Sequence, residues 1–317
     1  VRLFILFGAN PEAGMDWSDT ALESSSRQMN QIFEAFKILD NASPNPSNID
    51  SWLLARAIDN QSRWIDVMEA VSLREGVMIS HYEMLSDWQW YRRRGGSDRD
   101  TIHRFLCIWS EMLAPATPHI AEEFWSSLGG RGLLASNALS DLSDLSDSEW
   151  SLVLAQEEYL MQLIDTARNL RALAQKHSDS PLSRMIVQVA SKWKSDLASE
   201  AVNLASTDFD FRTQGQEHLR NLRIFANETM RGEIFQIWMT LTTGSKKRRG
   251  RIHTWSNAQK TLLLSHLDEA EIINQNSEFL ADVLGMNSVT SYFVGEGEDV
   301  AGKARVAFPL EPGIAFV

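Results

Sequence analysis

Two clusters of cations are the residues of this sequence whose type and spacing could do chemistry. They are Arg92, Arg93 and Arg94, and then Lys246, Lys247, Arg248, Arg249 and Arg251. A guanidinium can donate paired hydrogen bonds to phosphate oxygens, and cations that neutralise phosphates release counterions, so such binding weakens with salt. The alternatives are a solvated helix end for the first cluster and a solubilising loop for the second. The density of the second cluster favours phosphate binding, whereas the first leaves both interpretations open.

Other reactive side chains do not form a site by their spacing. His119 and Glu122 stand three residues apart and would share a helix face, with Glu123 beside them, but no third ligand is in view. We therefore predict no metal site and no catalytic residue. The single cysteine, Cys107, excludes an internal disulfide and is expected to be a buried, inert thiol in a reducing cytoplasm. His81 lies in an apolar stripe and is expected in the core.

The sequence has 11 tryptophans, which could stack on bases or fill a core. Trp88, Trp109 and Trp125 fall at positions that face the interior of predicted helices, so core packing explains them better. Trp17 and Trp255, beside turns, are the exceptions.

Helical periodicity dominates the first half of the chain. Apolar residues at helical spacing predict helices over 18–39, from near 50, over 72–94, after 97 and from 117. The string Ser72–Glu75 has the form of a capping box, and Thr117-Pro118 is typical of a helix start. Short connections favour antiparallel neighbours, so an up-and-down bundle is predicted. With a further helix over 150–176, the bundle domain is predicted to span 1–178, with an exposed acidic loop near 135–149.

Strands are predicted after residue 180. The β-branched run 184–190 and the segments 289–294 and 304–310 are read as strands, and 192–204 and 256–284 as helices. The second domain, 179–317, is therefore predicted as a small α+β unit. The fold class is mainly α: a helical bundle followed by an α+β domain.

Composition narrows the class of protein. The 317 residues are 44% hydrophobic, which excludes a disordered or collagen-like chain, and no apolar run approaches the length that spans a bilayer. The net charge of −12 by itself counts against nucleic acid as a partner. However, no Lys or Arg occurs from Thr261 to Gly302, so the acidic and basic residues are segregated and the field can be locally positive. The start at Val1, inside an apolar stretch, predicts a fragment of a longer protein.

Four parts of the chain together resemble one family, the leucyl-tRNA synthetases of the archaeal and eukaryotic type. They are Leu3–Glu12 with Met15–Asp19, Tyr82–Asp87 with Trp90–Arg93, Leu113–Trp125, and Lys303–Ile314. The third resembles the LAPxxPHxxEExW segment that class I synthetases for large aliphatic amino acids share. The first resembles the stretch just after the KMSKS loop, and the first and last distinguish leucyl from isoleucyl and valyl relatives. Residues 206–255 match the family poorly.

The resemblance implies a tRNA-docking role. Enzymes of this family ligate leucine to tRNA with ATP, but this chain contains no HIGH motif, no KMSKS motif and no Rossmann pattern. The resemblance therefore implies a fragment without catalytic or editing sites and without its own cofactor, ATP and Mg being expected for the full-length enzyme. A bundle of the anticodon-binding type would brace the tRNA, and the second domain would meet the long variable arm of tRNA(Leu). The other implied partner is the N-terminal catalytic part of the same enzyme, in a cytoplasmic monomer that does not contact a membrane.

The final segment has no intrinsic chemistry. The resemblance implies that it lies against the variable arm and reads bases through main-chain groups and packing; its residues are Pro312, Gly313, Ile314, Ala315 and Phe316. The alternative is a frayed terminus. Glu311 stands where the family often has a basic residue, so no ionic contact is assigned there.

Two alternatives stay open from the sequence. A valyl- or isoleucyl-type bundle would read the anticodon, whereas leucyl enzymes of this kind do not depend on it. A helical protein-interaction scaffold would keep the synthetase fold without binding RNA.

Overall fold

A computed structural model describes residues 1–9, 13–38, 42, 44, 46–140, 150–177, 180–243, 250–265 and 268–317. Within these residues the chain forms 14 α-helices and one three-stranded sheet, so the predicted fold class, a helical bundle with a small α+β part, is confirmed. The chain divides into two compact units, a first unit over Val1–Val153 and a second over Leu154–Val317. No helix in the described part of the chain is long and apolar enough to cross a membrane.

The first unit is helical. Its helices are α1 (Arg2–Gly8), α2 (Asp19–Phe36), α3 (Asn48–Glu69), α4 (Leu73–Val77), α5 (Met84–Arg93), α6 (Arg99–Leu113) and α7 (Pro118–Ser127). Side chains start several of them: Ser18 accepts from the amide of Ala21 in α2, and Asp98 accepts from that of Thr101 in α6. Pro118 opens α7 as predicted, whereas Ser72 makes no side-chain capping bond, so the predicted capping box there is wrong.

A π-helical turn, Met78–Glu83, joins α4 to α5 into one continuous helix. A π turn carries one extra residue and leaves carbonyls available to partners outside the helix. The Trp109 indole donates to the Ser80 carbonyl at 2.7 Å, and the Gln28 amide donates to that of His81 at 2.5 Å. The predicted apolar stripe therefore packs on α6 and α2 with its backbone as well as its side chains.

Aromatic rings fill the core of the first unit. Trp109 is fully buried and Trp88 nearly so, as predicted, and Tyr91 is fully buried as well. Phe105 stacks on Trp88 with ring centroids 5.9 Å apart. Trp125 is only half-buried, so its predicted core position holds in part.

Several polar groups inside this core are paired with one another. The Arg56 guanidinium donates to both carboxylate oxygens of Asp87 at 3.2 and 3.1 Å, and the Asn60 amide donates to the same carboxylate at 2.8 Å. The Tyr91 hydroxyl donates to Asp50 at 2.5 Å. Burial raises the pKa of Asp87, and the Arg56 charge works against that rise. These bonds join α3 to α5.

The second unit surrounds a small sheet. Its strands are β1 (Arg184–Val189), β2 (Ser288–Phe293) and β3 (Gly313–Phe316), in the order β2-β1-β3. Strand β1 is parallel to β2 and antiparallel to β3. The helices are α8 (Trp150–Gln175), α9 (Lys192–Ala205), α10 (Gly215–Asn221), α11 (Arg231–Thr242), α12 (Asn257–Leu264), α13 (Glu269–Gln275) and α14 (Ser277–Leu284).

Two predictions for this unit are wrong. Residues 304–310 do not form a strand: Val300–Val306 is a 3-10 segment with Ala301 and Gly302 at positive φ, and the strand beside β1 is β3. The single helix predicted over 256–284 is divided into α12, α13 and α14. Asp268 starts α13 by accepting hydrogen bonds from two amides of its first turn, so an acidic residue placed there begins a new helix.

The predicted domain boundary after residue 178 stays a prediction. By contacts, α8 belongs mostly to the second unit, because its residues from Leu154 onward fall there. In the predicted acidic loop near 135–149, Leu134–Ser136 forms a short 3-10 turn, and residues 141–149 lie outside the described residues.

Candidate nucleic-acid interface

The first predicted cluster, Arg92–Arg94, ends α5. The Arg92 guanidinium donates to the Gly96 carbonyl and lies 5.9 Å from the centre of the Trp88 ring, so the helix end itself holds this side chain. Arg93 is exposed and Arg94 is half-buried. Gly96 lies against the Tyr91 ring, where a Cβ would come within 2.2 Å of a ring carbon. Arg93 is therefore the member of the cluster that presents most of its surface to a phosphate.

The second cluster is described at one position only. Lys246, Lys247, Arg248 and Arg249 lie outside the described residues. Arg251 begins the 3-10 turn Arg251–His253 and forms an ion pair with Glu311, with Nη1 and Oε1 2.9 Å apart. The two side chains are 41% and 40% exposed, so solvent screens the pair. The structure thus places Arg251 beside the final segment, although its charge is paired there.

The predicted tail is a strand. In β3, Ile314 lies opposite Val187 and Ala315 opposite Ile186, and both tail residues are buried. Val317 continues the ladder, since its carbonyl accepts from the Arg184 amide at 2.9 Å. The alternative of a frayed terminus is therefore wrong. Contact of these residues with RNA stays a prediction, and it would have to use groups that β1 does not engage.

A buried carboxyl anchors the chain just before this strand. Glu269, in α13, accepts from the Tyr159 hydroxyl at 2.6 Å and from the Leu310 amide at 3.2 Å. Leu310 has a positive φ of 61°, a conformation that few non-glycine residues adopt, so this bond fixes an unusual turn. Burial raises the pKa of Glu269 to about 7, and the bonds from Tyr159 and Leu310 lower it in part.

The predicted structural residues have structural partners. Glu122 accepts from the amides of Leu134 and Ala135 at 2.8 and 3.0 Å, so it supports a turn. His81 is fully buried, as predicted, and burial lowers its pKa to about 3, which keeps the ring neutral. Cys107 is half-buried rather than buried, and burial followed by the Glu111 charge raises its pKa to about 11. Among the described residues, no group of three or more His, Cys, Asp or Glu side chains could hold a metal ion.

Both tryptophans expected beside turns are described. Trp17 is 60% exposed and its indole donates to Asp19, whereas Trp255 is buried. Of the two, Trp17 retains a ring that could meet a partner.

Sequence reasoning missed a cavity of about 590 Å³ in the second unit, next to Gly250. Phe209 and Phe211 line it together with Arg212 and Lys260. The signal was present, because two aromatic residues alternate with charged ones over 209–212, a pattern that neither helix nor core periodicity explains.

This chain is similar in sequence to known proteins along almost its whole length. Residues 50–186 match the family model described as anticodon-binding domain of tRNA ligase. The leucine–tRNA ligase of Methanococcoides burtonii is 27% identical over 99% of this chain and 32% of its own length. Those of Methanococcus maripaludis and Pyrococcus abyssi are 25% and 24% identical over 99% of this chain and 30% of theirs. The chain thus spans about a third of the length of these relatives. The predicted resemblance to leucyl-tRNA synthetases is confirmed.

Proposed function

We propose that this chain is the tRNA-docking part of a leucyl-tRNA synthetase, the enzyme that ligates leucine to tRNA(Leu) with ATP. The observation that carries the proposal is the similarity to leucine–tRNA ligases along 99% of the chain. The anticodon-binding domain matched over 50–186 supports tRNA rather than a protein as the partner of this region. No residue of this chain is assigned a catalytic role.

The division of labour follows from the motifs. Because neither HIGH nor KMSKS occurs in the 317 residues, we assign leucine activation, editing, ATP and Mg to parts of the enzyme outside this chain. That catalytic part is then the second partner, in a cytoplasmic monomer. The chain itself contributes positioning, which converts a bimolecular encounter into a fixed geometry at a distant site.

Docking is electrostatic in this proposal. Arg93 at the end of α5 and the cations of residues 246–249 contact phosphates of tRNA, and the acidic residues elsewhere keep the chain soluble. The β3 tail meets the variable arm of tRNA(Leu) beside Arg251. Glu311 competes with phosphate for that arginine, which weakens the contact there.

Binding of the chain to tRNA transcripts tests the proposal. Filter binding at moderate salt is expected to retain a tRNA with a long variable arm more tightly than one with a short arm. Equal retention of both would contradict the leucyl assignment, and retention of neither would contradict tRNA docking altogether.

Anticodon substitutions in the long-arm transcript discriminate the first alternative. The proteins similar to this chain are leucine–tRNA ligases. Since the leucyl resemblance implies binding that does not depend on the anticodon, we expect little change in affinity. A large loss would instead favour a bundle of the valyl or isoleucyl type. Co-purification with a protein partner, without retention of tRNA, would favour the scaffold alternative.

A further inference from the structure

The cavity missed by the sequence lies where three parts of the second unit meet. Residues 209–212, between α9 and α10, form one wall. The end of α11 at Thr242 and the first residue of the following turn region, Gly250, form another, and Lys260 of α12 completes it. Its volume of about 590 Å³ falls in the range of sites that take small ligands.

Aromatic rings form the first wall. Phe209 and Phe211 are half-buried and meet edge to face, with centroids 5.1 Å apart. Phe211 packs against the buried Trp238 ring at 5.9 Å, and Phe209 packs against the His218 ring at 5.5 Å. The two rings are therefore held from behind while part of each remains accessible from the cavity. Rings fixed in this way suit stacking on a planar ligand, because little freedom is lost on binding.

Cations surround the rings. Arg212 is exposed and Lys260 is half-buried at the cavity. The Asp210 carboxylate also lines it, but it accepts hydrogen bonds from the Arg212 amide and the Thr213 hydroxyl at 2.9 and 2.8 Å. The first of these bonds is the main cause that lowers the pKa of Asp210. Asp210 is the one acidic residue among the described lining residues, and the Arg212 amide and the Thr213 hydroxyl already bind its carboxylate.

Two backbone segments approach closely at one border of the cavity. Thr243, just after α11, and Gly250 both line the cavity. Gly250 is buried, and a Cβ there would come within 2.3 Å of the Thr242 carbonyl oxygen. A close approach of two backbone segments, which glycine permits, therefore fixes one border of the cavity.

We propose that this cavity binds an unpaired nucleotide of RNA, with the base stacked on Phe209 or Phe211 and the adjacent phosphates against Arg212 and Lys260. Accessible aromatic rings combined with cations are the arrangement that binds single-stranded nucleic acid with little base preference. The proposal rests on the proposed tRNA docking and adds a subsite to it. Apart from Lys260, it lies in residues 206–255, the part of the chain that resembles the leucyl family least, so the resemblance does not supply it.

The test uses the complete chain and two RNA probes. The first is an unstructured hexaribonucleotide with one 2-aminopurine, whose fluorescence falls when the base stacks on a ring. The second is the tRNA transcript with a long variable arm. We expect the hexamer to bind with quenched fluorescence. Phe209→Leu and Phe211→Leu each weaken that binding by about tenfold or more, since stacking on an aromatic ring is lost.

Matched variants separate stacking from folding. Phe209→Tyr and Phe211→Tyr keep a ring and should keep both affinity and quenching. Phe235→Leu removes a ring that is 39% exposed on α11 and does not line the cavity, so it should leave hexamer binding unchanged. Arg212→Ala, at an exposed position, should lower the slope of log affinity against log salt by about 0.7, the value for one neutralised phosphate on a single strand. Lys192→Ala, an exposed lysine elsewhere in the unit, should not.

The outcomes distinguish this inference from the proposed function. If the hexamer does not bind, or the leucine variants bind it like the unaltered chain, the subsite is wrong whether or not tRNA is retained. Ring-dependent hexamer binding without retention of tRNA would leave the subsite standing and remove the docking role. Quenching that the leucine variants abolish and the tyrosine variants restore supports the subsite directly.

Discussion

The α3–α5 region of the first unit and the cavity of the second unit differ in what engages their guanidinium groups. In the first unit, the protein itself engages Arg56 through Asp87 and Arg92 through the Gly96 carbonyl. In the second, Arg212 lines an open cavity and its side chain is exposed. Basic residues in a sequence therefore do not report how much charge is available to phosphate. The charge available to phosphate depends on whether a carboxylate or a carbonyl of the protein already accepts hydrogen bonds from the guanidinium.

The aromatic residues differ in the same sense. Trp88 and Trp109 pack inside the first unit, whereas Phe209 and Phe211 of the second remain half-buried at a cavity. Trp88 and Trp109 thus contribute to stability, whereas the rings of Phe209 and Phe211 stay partly accessible at the cavity. Substitutions in both units test this contrast, and the buried ion pair of the first unit should respond most strongly.

Asp87→Ala should destabilise the chain more than any other change considered. It leaves the Arg56 guanidinium, 26% exposed, without its main partner, and removing one partner of a buried ion pair costs about 3–5 kcal/mol of unfolding free energy. Asp59→Ala removes the exposed partner of the same arginine and should cost less than about 1 kcal/mol. Hydrogen exchange of the α3 and α5 amides measures the loss of stability in both variants. Equal losses would mean that Arg56 is not anchored, and the contrast between the units would fail.

Glu269→Gln should change how the second unit responds to pH. The pKa of Glu269 is about 7 in the folded chain, against an ordinary value of 4.5. The folded state therefore keeps a proton that the unfolded chain releases, so the stability is full below pH 4.5 and is lost as pH rises toward 7. The loss is roughly 3 kcal/mol for a rise of this size in a fully buried group.

Urea denaturation at several pH values checks this expectation. The glutamine variant should be more stable than the unaltered chain at pH 8 and nearly independent of pH over this window. Glu271→Gln, exposed on the same helix, is the matched control and should leave the profile unchanged. If the free energy of unfolding of the unaltered chain did not change from pH 4.5 to 8, the raised pKa of Glu269 would be contradicted.

Alanine at Lys246, Lys247, Arg248 and Arg249 should weaken binding of the long-arm tRNA and flatten its salt dependence. The slope of log affinity against log salt should fall by about 0.9 for each phosphate that the variant no longer neutralises. Arg93→Ala in the first unit should lower this slope by no more than the value for one phosphate. Filter binding between low and moderate salt measures both, and a larger loss for Arg93→Ala would reverse the contrast.

Glu311→Gln should have the smallest effect on stability. It breaks an ion pair whose two side chains are about 40% exposed, which contributes less than about 1 kcal/mol. It also releases Arg251, so binding of tRNA should become tighter. Thermal unfolding and filter binding check the two parts, and weaker binding would show that Arg251 does not meet phosphate.

Local signals predicted most of the first unit. Apolar spacing and the Thr117-Pro118 start identified helices that the structure contains, and those signals act over one or two turns. The π turn at Met78–Glu83 escaped prediction, because it depends on donors from Trp109 and Gln28 far along the chain. Periodicity records which face is buried and gives no information on which backbone carbonyl a distant side chain will meet.

Non-local contacts explain the errors in the second unit. Residues 304–310 alternate like a strand, but Ala301 and Gly302 turn the chain and Gly313–Phe316 occupies the edge of β1. The basic clusters of the candidate site were predicted from charge, and the tail residues Pro312–Phe316 from the family resemblance. The alternation of Phe209 and Phe211 with charged residues was visible in the sequence, but the cavity was not, because it also needs residues of α11 and α12 that are distant in the chain.

The position of β1 in the sheet has a consequence for the order of folding. This central strand pairs on one side with Ser288–Phe293 and on the other with Gly313–Phe316, both far along the chain. A ribosome that has made α8, β1 and α9 has therefore made a strand with two open edges and no partner yet. Closing such distant pairs is slow, whereas the helix contacts of the first unit, such as α3 with α6 and α1 with α4, join parts of the chain that are closer in sequence. We expect newly made chains to expose β1 until the last strand arrives, which makes this interval the one in which aggregation competes with folding.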